Sequence, residues 1–161
     1  MKIVPDKIIV HHTASPMATT SLLDIDRWHR ERDFPKSALG YFVGYHYVIF
    51  PDGKIFQTRK EDEEGAHCIG QNFTSVGICL VGNFDLEIPT TAQEVSLGSL
   101  LRDIRTRYNI SITRIYPHRA FSQTNCPGLR LDNSFGRRCA ISAELSAIKK
   151  ILLWIQSQLA G

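Results

Sequence analysis

The chain has 161 residues, 43% hydrophobic and 22% charged, with a net charge of +3. That composition suits one globular domain long enough to bury a core. Its scattered Lys and Arg residues, without aromatic interleaving, exclude a nucleic-acid surface, and no apolar run is long enough to span a membrane.

The mild basicity is compatible with an anionic polymer as partner. Met1 to Lys7 is interrupted by Pro5 and Asp6 before an apolar segment forms, so no signal peptide is expected; the chain is expected to be made in the cytoplasm or to be a mature form whose signal has been removed. Lys7-Ile8-Ile9-Val10-His11-His12 is a β-branched run ending in two imidazoles, which predicts a buried central strand broken by Thr13 to Pro16. Neighbouring strand residues point to opposite faces, so one of His11 and His12 faces any shared site; the alternation does not say which. Ser21 and Asp24 form a capping-box pattern that opens a helix carrying Leu22, Ile25 and Trp28 or His29, fading near Asp33 to Pro35. His29 reads as a residue of the helix flank.

Val43 to Phe50 predicts a second strand, closed by Pro51-Asp52-Gly53 and returned antiparallel by Lys54 to Gln57. In that strand Tyr45 and Tyr47 share one face, His46 and Val48 the other. Glu61 to Glu64 reads as a solvated acidic loop and Gly65 to Asn72 as a second loop. Ser75 to Gly82 predicts a buried strand whose glycines admit another backbone closely. Thr91-Ala92-Gln93-Glu94 is a capping box, and Val95, Leu97, Leu100, Leu101, Ile104 and Tyr108 form the apolar stripe of the helix behind it. Ser111 to Tyr116 predicts a strand that delivers His118. Past Gly128 the pattern is irregular until Ile141, Leu145, Ile148, Leu152, Ile155 and Leu159 recur in steps of four and three, an amphipathic helix expected to pack on the domain. Interleaved strands and helices with a hairpin predict an α/β fold with a mixed sheet.

Chemistry concentrates in Tyr116 to Gly128, where His118 and Cys126 flank a loop stiffened by Pro127. Imidazole and thiol are ligand types that zinc prefers, and His11 or His12 is the candidate for a third. None of the four cysteines forms a Cys-x-x-Cys pair, so Cys68, Cys79 and Cys139 are expected as reduced thiols.

Four blocks stand in one order: Ile9-Val10-His11-His12-Thr13-Ala14, Gly44-Tyr45-His46-Tyr47, Gly65-Ala66-His67 with Ser75-Val76-Gly77-Ile78, and His118 to Cys126-Pro127-Gly128. Together they resemble the zinc-dependent N-acetylmuramoyl-L-alanine amidases, the type shared by phage lysozyme-like amidases and peptidoglycan recognition proteins, over roughly residues 7–130. The resemblance implies a mixed β-sheet flanked by helices, and one zinc per chain held by His11, His118 and Cys126, with water in the fourth position. It makes Tyr45 and Thr124 catalytic and places His67, with His12, beside the substrate groove. Thr124 stands where the best-known phage enzymes carry Lys, so a fixed positive charge is missing there. Residues 1–140 are read as the catalytic domain; the C-terminal amphipathic helix at 141–161 lies beyond the resemblance, which gives it no role, and its stripe is expected to pack on the same domain, with a partner-facing helix as the alternative.

The implied reaction is hydrolysis of the amide between N-acetylmuramic acid and L-alanine, with peptidoglycan or soluble muropeptides as partner and neither nucleic acid nor membrane. The enzyme would act on the cell wall after release or export, or on muropeptides in the cytoplasm. No Glu in the matched blocks offers itself as general base. Two other readings are a peptidoglycan-binding module of the same fold, whose members typically lack the thiol ligand, and an unrelated protein with a structural zinc, which would want a fourth protein ligand.

Overall fold

The computed structural model describes residues 2–159. Its centre is β1 (Lys7–His12), paired in parallel with β4 (Ser75–Leu80) on one side and β5 (Ile115–Pro117) on the other. β4 also pairs in parallel with β2 (Tyr47–Ile49), and β2 pairs antiparallel with β3 (Ile55–Gln57). The sheet is therefore mixed, in the order β3-β2-β4-β1-β5, as the alternating pattern predicts. β1 and β4 are buried in nearly every position because both of their faces are covered.

α2 (Thr91–Tyr108) and α3 (Phe135–Leu159) cover one face, where Leu97, Leu101, Phe135 and Ala140 pack on Ile8, Val10, Val76 and Ile78. α1 (Leu22–Arg30) covers the other, where Ile25 meets Val43, Val48 and Val81. α2 and α3 approach closely at Gly98: a Cβ there would lie 2.4 Å from the Cys139 carbonyl oxygen. The Ser21–Asp24 capping box is present on α1.

Several local expectations shift. The capping box of α2 lies one residue early, with Thr90 and Gln93 as partners, and Val95 is exposed. Gln93 serves twice, because its side-chain amide also donates to the Ile49 and Val81 carbonyls in the interior. The run from Val43 to His46 does not join β2. A Cβ on Gly44 would meet the Ala66 carbonyl at 2.2 Å, and the Gly44 N–H donates to His29 Nδ1 at 2.9 Å, out of the sheet. Tyr45 and Tyr47 consequently pack on opposite sides, against the α1 cluster and in the α2–α3 cluster. Residues 112–114 form a 3-10 turn, so β5 starts only at Ile115.

Glu61 lies in no solvated loop. It is buried and accepts the Tyr47 hydroxyl at 2.6 Å and the Arg107 guanidinium. α3 begins at Phe135, six residues before its apolar repeat, and the turns up to Ala140 are the buried ones. From Leu145 onward its apolar residues are exposed.

Candidate metal centre

The register of the sheet decides between the two imidazoles at the end of β1. His11 lies opposite Cys79 and His12 opposite Leu80. Ile8 and Val10 face α2 and α3, so alternation sends His12 to that side and His11 to the α1 side. There His12 Nδ1 accepts the Phe84 N–H at 3.1 Å, while its own backbone N–H points at Cys126 Sγ, 3.4 Å away.

His118 enters from the end of β5, at the start of a 3-10 turn. Cys126 enters from the loop that follows, which is fastened to that turn: the Arg119 N–H donates to the Cys126 carbonyl at 2.9 Å, and the Arg119 side chain holds the Gly128 and Leu131 carbonyls. The peptide between Cys126 and Pro127 is cis.

One ligand atom from each of His11, His118 and Cys126 lies within 4.8 Å of the other two, the one such group of His, Cys, Asp or Glu among the described residues. His11 Nδ1 and Cys126 Sγ are 3.7 Å apart. Zinc bonds nitrogen at about 2.0–2.1 Å and sulfur at about 2.3 Å, so a tetrahedral N–Zn–S edge spans about 3.6 Å. The donor set therefore fits zinc in chemistry and in spacing. His11 and Cys126 are buried and His118 is half-buried, which leaves the cluster open on the side of a cavity of about 530 Å³. Three protein ligands with an open fourth position are the arrangement of catalytic rather than structural zinc.

Electrostatics prepare the imidazoles. Burial, reinforced by His67 and His118, holds His11 well below the ordinary range, and burial lowers His118 too, so both offer neutral lone pairs. Burial pushes the Cys126 thiol up to about 12 against the His12 N–H that favours its thiolate. A coordinated cation reverses that balance and deprotonates the sulfur.

The remaining candidates gather at the same cavity. The Tyr45 ring centroid is 5.1 Å from that of His11, and burial raises its phenol well above the ordinary value beside the Cys79 thiol. Thr124 is exposed on the rim, and its Oγ1 accepts the Cys126 N–H at 3.2 Å, which leaves its proton free for the cavity. His67 lines the cavity from a buried position behind His11, its Nδ1 3.0 Å from His11 Nε2. Its ring also accounts for Gly77, which makes room for an imidazole and not for a neighbouring backbone. The structure thus brings together His11, His118, Cys126, Tyr45, Thr124 and His67 at the cavity, which His12 also lines while its Nδ1 is engaged by the Phe84 N–H.

Two histidines carry more than their sequence context suggests. His29 is no flank residue: it is buried, its ring lies 5.3 Å from that of Tyr45, and burial lowers its pKa to about 4. Its spacing of four from Ile25 was the available signal, since that places it on the buried stripe of α1. His46 Nδ1 accepts the Gly77 N–H at 3.0 Å and fastens the segment before β2 to β4. Arg32 and Phe34, just past α1, complete the wall beside His29.

Comparison with known proteins agrees with this fold. The sequence model of a family described as N-acetylmuramoyl-L-alanine amidase matches residues 1–129. The chain is 34% identical over 133 residues to the endolysin of Escherichia phage T7, covering 78% of this chain and 82% of that one. It is 32% identical over 127 residues to peptidoglycan-recognition protein SC2 of Drosophila melanogaster, covering 78% and 69%. Among solved structures it is similar to the N-acetylmuramoyl-L-alanine amidase LysC from Clostridium intestinale, with a TM-score of 0.71, 34% identity and 80% of each chain covered. Drosophila PGRP-LB superimposes with a TM-score of 0.68 at 28% identity, over 81% of this chain and 78% of that one.

Proposed function

The chain belongs to the N-acetylmuramoyl-L-alanine amidase family, and we propose that it is a catalytic, zinc-dependent member that cleaves the amide between N-acetylmuramic acid and L-alanine in peptidoglycan. One observation carries this reading: two neutral imidazoles and a thiol converge within 4.8 Å at the open side of a cavity. Zinc bound by His11, His118 and Cys126 supplies Lewis acidity and a water whose pKa is lowered towards ~7.

The chain's own residues do the rest. Thr124 spends a lone pair on the Cys126 N–H and keeps its O–H for the carbonyl oxygen of the scissile amide as negative charge develops there. A donor positioned for that charge is worth about 3 kcal/mol. Tyr45, kept as the neutral phenol by burial, closes the cavity beside His11 and orients the reacting groups. The half-buried edge of His118 leaves the centre reachable by a polymer chain.

The retained thiol favours catalysis over a recognition-only role. Mass spectrometry of peptidoglycan digested with the zinc-loaded protein tests the reading. Free stem peptides together with intact glycan strands are the expected products, and parallel digestion of soluble muropeptides tells which form is preferred. Binding to peptidoglycan without release of stem peptides would make the protein a recognition module instead.

A further inference from the structure

We propose that Ser75 and His67 are positioning residues that fix the tautomer of His11 and thereby place its lone pair on Nδ1, the nitrogen that faces the donor cluster. The inference rests on the metal-centre reading above and extends it to residues that touch no substrate.

Ser75 Oγ donates its single proton to the Gln71 carbonyl at 2.7 Å. Towards His67 Nε2, 3.5 Å away, that oxygen has only lone pairs to offer. His67 Nε2 therefore carries the ring proton, aimed at that oxygen. An imidazole buried in the interior is favoured as the neutral ring, with one N–H and one lone pair, and His67 is buried. Its Nδ1 is then an acceptor, and the group 3.0 Å away is His11 Nε2, which must donate. His11 is left with its lone pair on Nδ1, 3.7 Å from Cys126 Sγ. A backbone carbonyl at Gln71 thus sets the direction of every bond up to the ligand.

The ring that transmits this order is wedged. A Cβ on Gly77 of β4, or on Gly65, would come within 2.5 Å of the His67 ring, so glycine at both places makes its slot. Asn72 Oδ1 holds the loop by accepting the His67 N–H at 3.0 Å and the Cys68 N–H at 2.9 Å. A metal-ligating histidine whose other nitrogen is held in this way is fixed in tautomer and ring orientation, and loss of the holding group typically lowers metal affinity about 10–100-fold.

The test is two-bond proton–nitrogen correlation spectroscopy of the imidazoles in the 15N-labelled, metal-free protein. His67 and His11 are both expected as Nε2–H tautomers, and Ser75→Ala should let His67 populate the Nδ1–H form. Zinc affinity, read by competition with a chelator, should fall about 10-fold in Ser75→Ala and up to about 100-fold in His67→Ala. A wild-type His67 found as the Nδ1–H tautomer overturns the proposal even if neither variant folds, and so does Ser75→Ala with unchanged tautomers. Expected tautomers in a protein that binds no zinc would uphold the relay and defeat the metal reading.

Discussion

The His12 imidazole accepts the Phe84 N–H on the α2 side of the sheet, while His11 and Cys126 meet on the α1 side. The two faces predict two phenotypes. His11→Ala and Cys126→Ala each remove a donor from a three-ligand set and should lose zinc and cleavage together. His12→Ala should keep zinc but orphan a buried N–H, and so lower stability by about 1–3 kcal/mol. Metal analysis and urea denaturation of the three variants check this; a His12→Ala protein that loses zinc while His11→Ala keeps it would put the ligand on the wrong face of β1. Of these residues, the sequence showed the types and the order but not the orientation. Ile8, Ile9 and Val10 are buried whichever way they point, so apolarity left the parity of His11 and His12 open. Only the pairing of β1 with β4 resolves it. The place of His67 behind His11 was hidden for a similar reason: it sets a loop residue against a strand residue 56 positions earlier.

Elements were legible where one face is dry and illegible where a side-chain bond overrides propensity. Val43 to Phe50 has the composition of a strand, yet Gly44 turns out of the sheet because His29 takes its N–H. α3 starts before its apolar repeat because Phe135, Gly136 and Cys139 pack inward without helical regularity in the sequence. Charge patterning misled in the same way at Glu61, which joins β2 to the end of α2 through Tyr47 and Arg107. Burial alone would raise its carboxyl, but hydrogen bonds from Arg107, Tyr47 and Tyr108 together outweigh that and lower it below the ordinary value. A lowered folded pKa means that the bond's contribution is complete above the unfolded carboxyl pKa of about 4.3 and is lost as pH falls through the folded value. Glu61→Gln should therefore cost about 1 kcal/mol at neutral pH, a modest figure because Arg107 is half in water, and the gap should close in acid below the ordinary carboxyl range. Denaturation curves for both proteins across that range decide it; a gap independent of pH would show that the lost group is structural in shape rather than in charge.

At the scale of the molecule, the metal centre and the core are separate investments of sequence. The larger core lies between the sheet and α2 with the first turns of α3, and none of the three ligands belongs to it. Of the candidate ligands, His11 and His118 sit at the ends of β1 and β5, strands held by parallel pairing along Ile8, Ile9 and Val10, and Cys126 on the loop that follows. Without a cation, burial keeps His11 and His118 as neutral imidazoles and Cys126 as a neutral thiol, so the empty cluster carries no uncompensated charge into the interior. On the proposed reading, zinc would then be a requirement of the reaction and not of the fold. Chelation should abolish cleavage, leave the far-UV circular dichroism of the sheet and helices essentially unchanged, and lower the thermal midpoint only by the binding free energy that is withdrawn. Re-addition of zinc should restore activity without a refolding step. Collapse of the circular dichroism signal on chelation would instead mean that His11, His118 and Cys126 hold β1, β5 and the Cys126 loop together, a structural role in spite of the open fourth position.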